Sequence, residues 1–159
     1  MKVLMGVKRR LGPPSSARQW RFLDAGCGIG DKVFLASDMG FEAHGVELDE
    51  SLIRAAKRRF EARQVSADSY TPPRGDRLTL YRSDITRFTY SSFDVVFFYC
   101  PFSDPVAEGR FERRVWDQVA PGGFVIACAP ETKPPRTFRS IEMPEATAGF
   151  TGWKIYQRR

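Results

Sequence analysis

The sequence lacks the residue patterns of metal centres, disulfide frameworks and membrane spans. Histidine occurs once, at His44, so no Cys/His cluster of the kind that holds zinc exists. The three cysteines, Cys27, Cys100 and Cys128, are odd in number and far apart, unlike a disulfide framework. No apolar run approaches the ~18 residues of a membrane helix. These absences predict free thiols, a reducing and therefore cytoplasmic location, no metal site and no integral membrane segment.

The composition is that of an ordinary globular domain. The chain has 159 residues, of which 42% are apolar and 28% charged, enough for one domain with a core. We expect a weakly patterned N-terminal segment over residues 1–20, without a clear helix, and a single domain over residues 21–159. Lys and Arg outnumber Asp and Glu by 25 to 19, a formal net charge of +6. The basic residues are scattered, so this charge indicates solubility first and leaves an anionic partner open.

The most informative stretch is a predicted strand that breaks into a glycine-rich turn. The apolar residues within 21–25 predict a buried strand, and Gly26, Gly28 and Gly30 follow at every second position. Glycine tolerates positive φ and lets a ligand or another backbone come close. A helix predicted from about Asp31 would direct its free N–H groups into this turn. By itself the turn is compatible with binding NAD, with binding FAD, or with close backbone packing that involves no ligand.

Strands and helices alternate along the rest of the chain. Strands are predicted over residues 21–25, 41–47, 77–82, 93–100, 124–129, 137–143 and 153–157, and helices over 31–39, 49–60 and 106–119. This alternation predicts a mostly parallel, doubly wound α/β sheet. The last two strands have too little chain between them for a crossover helix, so we expect them to form a hairpin, with one of them antiparallel to the other strands.

Polar residues follow the predicted strands at the edge where such sheets bind ligands. Glu47 ends the second strand and lies 17 residues beyond Gly30, close to the spacing of an acid that receives a ribose diol. The competing interpretation of Glu47 is a helix cap, but Asp49 and Ser51 already suit that role. Asp84 follows the third strand, and residues 99–102 follow the fourth.

Five motifs together resemble those of the class I S-adenosylmethionine-dependent methyltransferases. They are Asp24–Gly30, Gly45–Asp49, Ser83–Ile85, Phe93–Val96 and Pro121–Gly123, and they span roughly residues 21–129 in the family's order. The resemblance implies a Rossmann-like seven-stranded sheet whose last strand is antiparallel. It also implies an enzyme that takes a methyl group from S-adenosylmethionine and releases S-adenosylhomocysteine.

The same resemblance implies a set of cofactor-binding residues. Asp24 and the backbone of the glycine turn would hold the amino-acid end, Glu47 the ribose, and Asp84 the adenine amino group. The implied cofactor-binding residues are Asp24, Gly26, Cys27, Gly28, Gly30, Glu47, Leu48, Asp84 and Ile85. Two of them have simpler interpretations: Asp84 as a turn residue, and Cys27 as a small filler rather than a nucleophile.

The sequence contains fewer signals for the methyl acceptor than for the cofactor. Residues 99–102 read Tyr-Cys-Pro-Phe, which keeps the Pro-aromatic pair of amino-group nucleic-acid methyltransferases but lacks their leading Asp, Asn or Ser. The order Cys-Pro is the reverse of the Pro-Cys of carbon-5 cytosine enzymes, so Cys100 is not interpreted as a nucleophile. Tyr99 is the candidate residue for positioning the acceptor, with a plain pocket wall as the alternative.

A narrower resemblance points to a protein acceptor. Residues 33–60 and 125–128, with the tail ending in Trp153–Tyr156, are similar to the small lysine methyltransferases of ATP synthase c-subunits and the adenine nucleotide translocator. No helix or inserted domain is predicted to cover the acceptor side, which favours a macromolecular acceptor or a homo-oligomer that covers the site. The alternatives are methylation of RNA, DNA or a small molecule, and a non-catalytic S-adenosylmethionine-binding subunit.

Overall fold

The computed structural model describes residues 2–14, 18–65, 78–142 and 152–159. Its seven strands form one sheet in the order β3-β2-β1-β4-β5-β7-β6. The strands are β1 Arg21–Ala25, β2 Glu42–Glu47, β3 Leu78–Arg82, β4 Val95–Tyr99, β5 Phe124–Cys128, β6 Phe138–Ser140 and β7 Trp153–Arg158. The helices are α1 Lys2–Leu11, α2 Asp31–Asp38, α3 Glu50–Val65 and α4 Pro105–Gln118.

The sheet confirms the predicted fold class. Strands β1 to β5 are parallel, whereas β7 is antiparallel to both β5 and β6, as the hairpin argument requires. β1 pairs with β2 on one side and β4 on the other, so the winding reverses beside β1. A ligand crevice is expected at this reversal, beyond the carboxyl ends of the strands. Residues 77 and 143, predicted strand ends, lie outside the described residues.

The central strands are buried on both faces. Along β4, Val95 and Phe97 belong to one apolar cluster, whereas Val96 and Phe98 belong to another. Because successive side chains of a strand point to opposite faces, these clusters are the two cores of the sheet. Residues of α1 and α2 complete the first core, and residues of α4 complete the second. This explains why β4 is a continuous apolar run.

The N-terminal segment forms a helix, which corrects our expectation for residues 1–20. In α1, Leu4 and Val7 are buried and pack into the same core as Phe22 of β1. The helix ends before Gly12, whose φ of 71° suits glycine. The expectation was wrong because the segment is short and is followed by a Gly-Pro breaker, although its few apolar residues recur at helical spacing. Such a short helix is stabilised mainly by packing its apolar face against the sheet.

A buried acid on α4 holds the loop that follows β5. Glu112 is fully buried, and its carboxylate accepts hydrogen bonds from the backbone N–H groups of Glu131 (2.9 Å) and Thr132 (2.6 Å). The Thr132 hydroxyl also donates to it at 2.5 Å and accepts from Trp116 Nε1 at 2.9 Å. The carboxylate thus provides hydrogen-bond acceptors for two backbone N–H groups that lie outside the hydrogen-bonded strands.

Replacing Glu112 with alanine should therefore lower the free energy of unfolding by about 2–4 kcal/mol, because two backbone N–H groups lose their acceptor. Chemical denaturation measures this. Glu112→Gln, which keeps one acceptor oxygen, should cost less than the alanine variant. Equal stability of the wild-type and alanine chains would contradict the role of this acid.

None of the helices in the described part of the chain is long and apolar enough to cross a membrane.

Candidate functional site

The glycine turn after β1 has the backbone conformation that its sequence predicts. The φ values of Gly26, Gly28 and Gly30 are 82°, 52° and 85°, values that residues with a side chain rarely adopt. The N–H groups of Gly26 and Cys27 both donate to the carbonyl of Val46 in β2, at 2.9 Å each. The turn therefore lies against the end of β2, of which Glu47 is the last residue.

Glu47 is the polar centre of this region. Its Oε2 accepts the Gly28 N–H at 2.9 Å, and its Oε1 accepts those of Leu48 at 2.8 Å and Asp49 at 3.0 Å. The carboxylate thus links the glycine turn of β1 to the loop after β2. The helix-capping role falls to Asp49, whose Oδ1 accepts the Ser51 N–H at 2.7 Å.

A cavity of about 490 Å³ opens beside Glu47, at the carboxyl ends of the strands. Its size lies within the ~300–1,000 Å³ of sites for small organic ligands. It is lined by Gly26, Glu47, Leu48, Asp49, Asp84, Ile85, Pro101 and Phe102. Five residues predicted for the cofactor are thereby brought together, although they come from three separate loops of the chain. Pro101 and Phe102 add an apolar wall from the loop after β4.

The remaining predicted cofactor residues do not line the cavity. Asp24 is buried at the end of β1, with 4% of its surface exposed. Cys27 is also buried, and a Cβ on Gly45 would lie 2.7 Å from its sulfur. Burial raises the pKa of the Cys27 thiol, which makes it a poor nucleophile. Gly30 is the N-cap residue before α2, and a Cβ on it would lie 3.2 Å from the Phe34 ring.

Asp84 has two roles in the geometry. Its Oδ1 accepts the Thr86 N–H at 2.8 Å and the Thr86 hydroxyl at 2.7 Å, and these bonds lower the pKa of the carboxyl. The predicted turn role is thus present, and Asp84 is also one of the residues that line the cavity. Ile85, next in the chain, is buried, and its carbonyl accepts the Tyr90 hydroxyl at 2.6 Å.

Tyr99 lies outside the cavity lining. Its side chain is 58% exposed, and its ring packs near that of Trp153 in β7, with centroids 5.7 Å apart. The chain then turns at Cys100, a non-glycine residue with a φ of 40°. This turn brings Pro101 against Gly26, where a Cβ would lie 3.1 Å from the Pro101 Cβ. Tyr99 therefore lies two residues before Pro101, which lines the cavity.

One residue behind the cavity wall was missed by the sequence analysis. Glu108 of α4 is 5% exposed, and its Oε2 accepts the Phe102 N–H at 3.0 Å. Burial raises the pKa of this carboxyl, and the Phe102 bond opposes the rise. The available signal was an acid three residues before Phe111, on the apolar side of the predicted helix. We infer that Glu108 holds the 101–102 wall in place.

Comparison with known proteins gives the family. A family model described as "Methyltransferase domain" matches residues 17–150. A curated relative from Geobacillus sp. (strain WCH70), provisionally named a methyltransferase, is 27% identical over 100 residues. That match covers 62% of this chain but only 36% of the relative, so this chain spans about a third of that protein's length.

Solved structures share the fold at low sequence identity. An RNA methyltransferase from Salinibacter ruber, in complex with S-adenosylhomocysteine, has a TM-score of 0.60 at 20% identity, covering 87% of this chain and 78% of that one. The magnesium protoporphyrin IX methyltransferase of Synechocystis PCC 6803, with bound S-adenosylmethionine, has a TM-score of 0.68 at 15% identity, covering 99% and 76%.

The family match includes the glycine turn, the acid at the end of β2 and the loops after β3 and β4, and it extends over most of the chain. The predicted methyltransferase family is thereby confirmed, whereas the similarity to lysine methyltransferases of ATP synthase c-subunits is not shown by these comparisons. The chain belongs to the methyltransferase-domain family.

Proposed function

We propose that the cavity beside Glu47 binds S-adenosylmethionine and that the chain passes its methyl group to an acceptor at the Tyr99 edge. The observation that carries this proposal is the meeting of Glu47, Asp84 and Ile85, from separate loops, around one cavity. The two carboxylates suit the ribose hydroxyls and the adenine amino group, because ionised carboxylates accept hydrogen bonds. Leu48, 64% exposed at the rim, and Ile85 offer apolar surface to the adenine ring.

For methyl transfer, the chain must mainly position the two reactants and exclude water from them. When bound, S-adenosylmethionine supplies an activated methyl group, which an acceptor takes by in-line displacement, leaving S-adenosylhomocysteine. Glu47 and Asp84 would fix the nucleoside end, and Gly26, without a side chain, lets the amino-acid end approach the turn. Pro101 and Phe102 would shield the reacting atoms from water. Orientation of two reactants in this way accounts for a large part of a barrier reduction.

A protein lysine is our proposed acceptor. Tyr99 is exposed and packs near the partly buried Trp153, and this aromatic pair would take the aliphatic stem of a lysine and its ammonium group. The described residues between β5 and β6 form no helix, which suits a macromolecular acceptor. The attacking amine must first lose a proton. The free thiols Cys27, Cys100 and Cys128 favour a cytoplasmic site of action.

A nucleic-acid base is the second candidate acceptor. The same aromatic pair, Tyr99 and Trp153, offers flat surfaces on which a base can stack. The end of β4 has Tyr99 at the position where amino-group enzymes carry an Asp, Asn or Ser, so the exocyclic amine would lack that acceptor.

The acceptor class is tested by incubating the chain with tritiated S-adenosylmethionine and cell lysate, then treating samples with protease or nuclease. Label released by protease supports the lysine proposal. Label released by nuclease would replace it with the second candidate. Label confined to small metabolites would contradict both, and cofactor binding without transfer to any fraction would favour a non-catalytic subunit. Tyr99→Ala should lower transfer at unchanged cofactor affinity if the aromatic pair holds the acceptor.

Cofactor affinity should depend on pH through Asp24. Burial raises the pKa of its carboxyl to about 7; Lys32 opposes the rise, while Glu47 and Asp31 add to it. The ionised carboxylate would pair with the cofactor's ammonium group, so binding should tighten as pH rises from about 5.5 to 7.5. Calorimetry of Asp24→Asn should show weaker binding with a flatter pH profile. An unchanged pH profile would contradict this role.

The same substitution should stabilise the ligand-free chain at high pH. The pKa of Asp24 is higher in the folded chain than its ordinary value, so folding is favoured at low pH and loses this contribution as pH rises through 7. The stability of Asp24→Asn relative to the wild type should therefore grow between pH 5 and pH 8. Thermal denaturation without cofactor measures the difference.

A further inference from the structure

Three helices cover one face of the sheet as a continuous layer. α1 meets the end of α2 where Lys8 Nζ donates a hydrogen bond to the carbonyl of Met39. α2 meets α3 through the parallel rings of Phe34 and Phe60, whose centroids lie 6.3 Å apart. The outer surfaces of α1, α2 and α3 therefore adjoin, and we refer to them together as the helical layer.

The helical layer contains the chain's excess positive charge. Its basic residues are Lys2, Lys8, Arg9, Arg10, Lys32, Arg54, Lys57, Arg58, Arg59 and Arg63, and its acidic residues are Asp31, Asp38, Glu50 and Glu61. Ten basic against four acidic side chains leave an excess of six, equal to the formal net charge of +6 of the whole chain. Helix α4, on the opposite face, carries three of each sign.

Ion pairs within the layer do not remove this excess. Arg59 pairs with Asp31 at 2.7 Å and Arg63 with Asp38 at 2.5 Å, which ties α3 to α2. Each such pair is neutral, so the field of the layer comes from its remaining basic side chains. Exposed basic residues next to these pairs include Lys57 on the outer side of α3. A field of one sign over a whole face attracts an extended anion.

The apolar and charged residues of this surface distinguish between three kinds of anionic partner: a membrane, a protein and a nucleic acid. A membrane would require an apolar face for insertion, but Leu4 and Val7 of α1 are buried in the core. A stable protein partner would require an apolar centre, whereas Met5 and Leu52 are the large apolar side chains exposed among the described ones of this layer. A nucleic-acid backbone needs mainly repeated positive charge, which α1 and α3 supply, the basic residues of α3 extending over about 14 Å from Arg54 to Arg63.

We propose that the helical layer binds the phosphate backbone of a nucleic acid. This docking is separate from the cofactor cavity, and it holds whether the methyl group goes to a lysine of a nucleic-acid-bound protein or to a base. Its affinity is set by the number of phosphates neutralised and so falls with salt.

The test measures fluorescence anisotropy of a labelled single-stranded RNA of about 24 nucleotides, without cofactor, at several salt concentrations. Lys57→Glu combined with Arg58→Glu should weaken binding about tenfold or more at low salt. Loss of two phosphate contacts should also reduce the slope of log affinity against log salt by about 1.4. The matched control is Arg110→Glu combined with Arg113→Glu, which makes the same charge change on exposed positions of α4.

The proposal predicts that the α3 double variant loses RNA affinity while the α4 double variant keeps it. It is overturned if the wild-type chain does not bind the RNA, if both variants weaken equally, or if anionic phospholipid vesicles or polyglutamate bind as tightly as the RNA. Circular dichroism and calorimetry with S-adenosylmethionine establish that the variants fold and keep the cofactor site. Because the RNA measurement needs no cofactor, failure of the proposed methyl transfer would leave its outcome unchanged.

Discussion

Replacing Glu47 with alanine is expected to reduce the affinity for S-adenosylmethionine by about 100-fold or more. The ribose hydroxyls would lose a charged acceptor, at roughly 1.5–3 kcal/mol for each hydrogen bond. The variant also removes the acceptor of the Gly28, Leu48 and Asp49 N–H groups, so the glycine turn loses its link to the loop after β2. Isothermal calorimetry with the wild-type and variant chains measures the loss.

Two further variants separate the site effect from a general charge effect. Glu61→Ala removes an exposed acid from the outer side of α3 and should leave cofactor affinity unchanged. Glu47→Gln keeps one acceptor oxygen and should bind with intermediate affinity. If Glu47→Ala bound S-adenosylmethionine as tightly as the wild type, the assignment of the cavity would be wrong.

The second large effect is expected from Gly26→Ala. Gly26 has a φ of 82°, where an alanine costs about 1–2 kcal/mol, and its new Cβ would lie 3.1 Å from the Pro101 Cβ. Relief of this contact would require the proline wall to move, at a further cost of about 1–3 kcal/mol. We therefore expect the variant to lose both stability and cofactor affinity, as measured by denaturation and calorimetry.

Gly28→Ala is the matched control for this prediction. Gly28 also has a positive φ, 52°, but an added Cβ would meet nothing within 4 Å. It should therefore show the backbone cost alone, and the Gly26 variant should be clearly less stable. Equal losses for the two variants would indicate that the contact with Pro101 contributes nothing.

Much of the architecture could be predicted from local patterns. The hairpin of β6 and β7 was predicted from the short chain between the two predicted strands. In the structure, β7 is antiparallel to both β5 and β6. The capping role of Asp49 was likewise readable, because a cap acts within its own turn. Glu47, Leu48, Asp84 and Ile85 line one cavity because parallel strands bring their carboxyl ends to one edge.

Features that depend on distant contacts could not be predicted in this way. Helix α1 forms because Leu4 and Val7 meet the sheet, a contact that the sequence pattern of the segment does not reveal. Glu112 and Glu108 were read only as positions in a helix, since their partners are backbone N–H groups of loops. Tyr99 was placed correctly at the end of β4, but its packing near Trp153 required the register of β7.

The central claim is that the cavity beside Glu47 is the S-adenosylmethionine site. A crystal structure of the chain with S-adenosylhomocysteine tests it most directly. We predict ribose hydroxyls hydrogen-bonded to the Glu47 carboxylate, adenine beside Leu48 and Ile85 with its amino group at Asp84, and the homocysteine end over the glycine turn near Asp24. Ligand bound at another place on the chain, or ribose turned away from Glu47, would contradict the assignment.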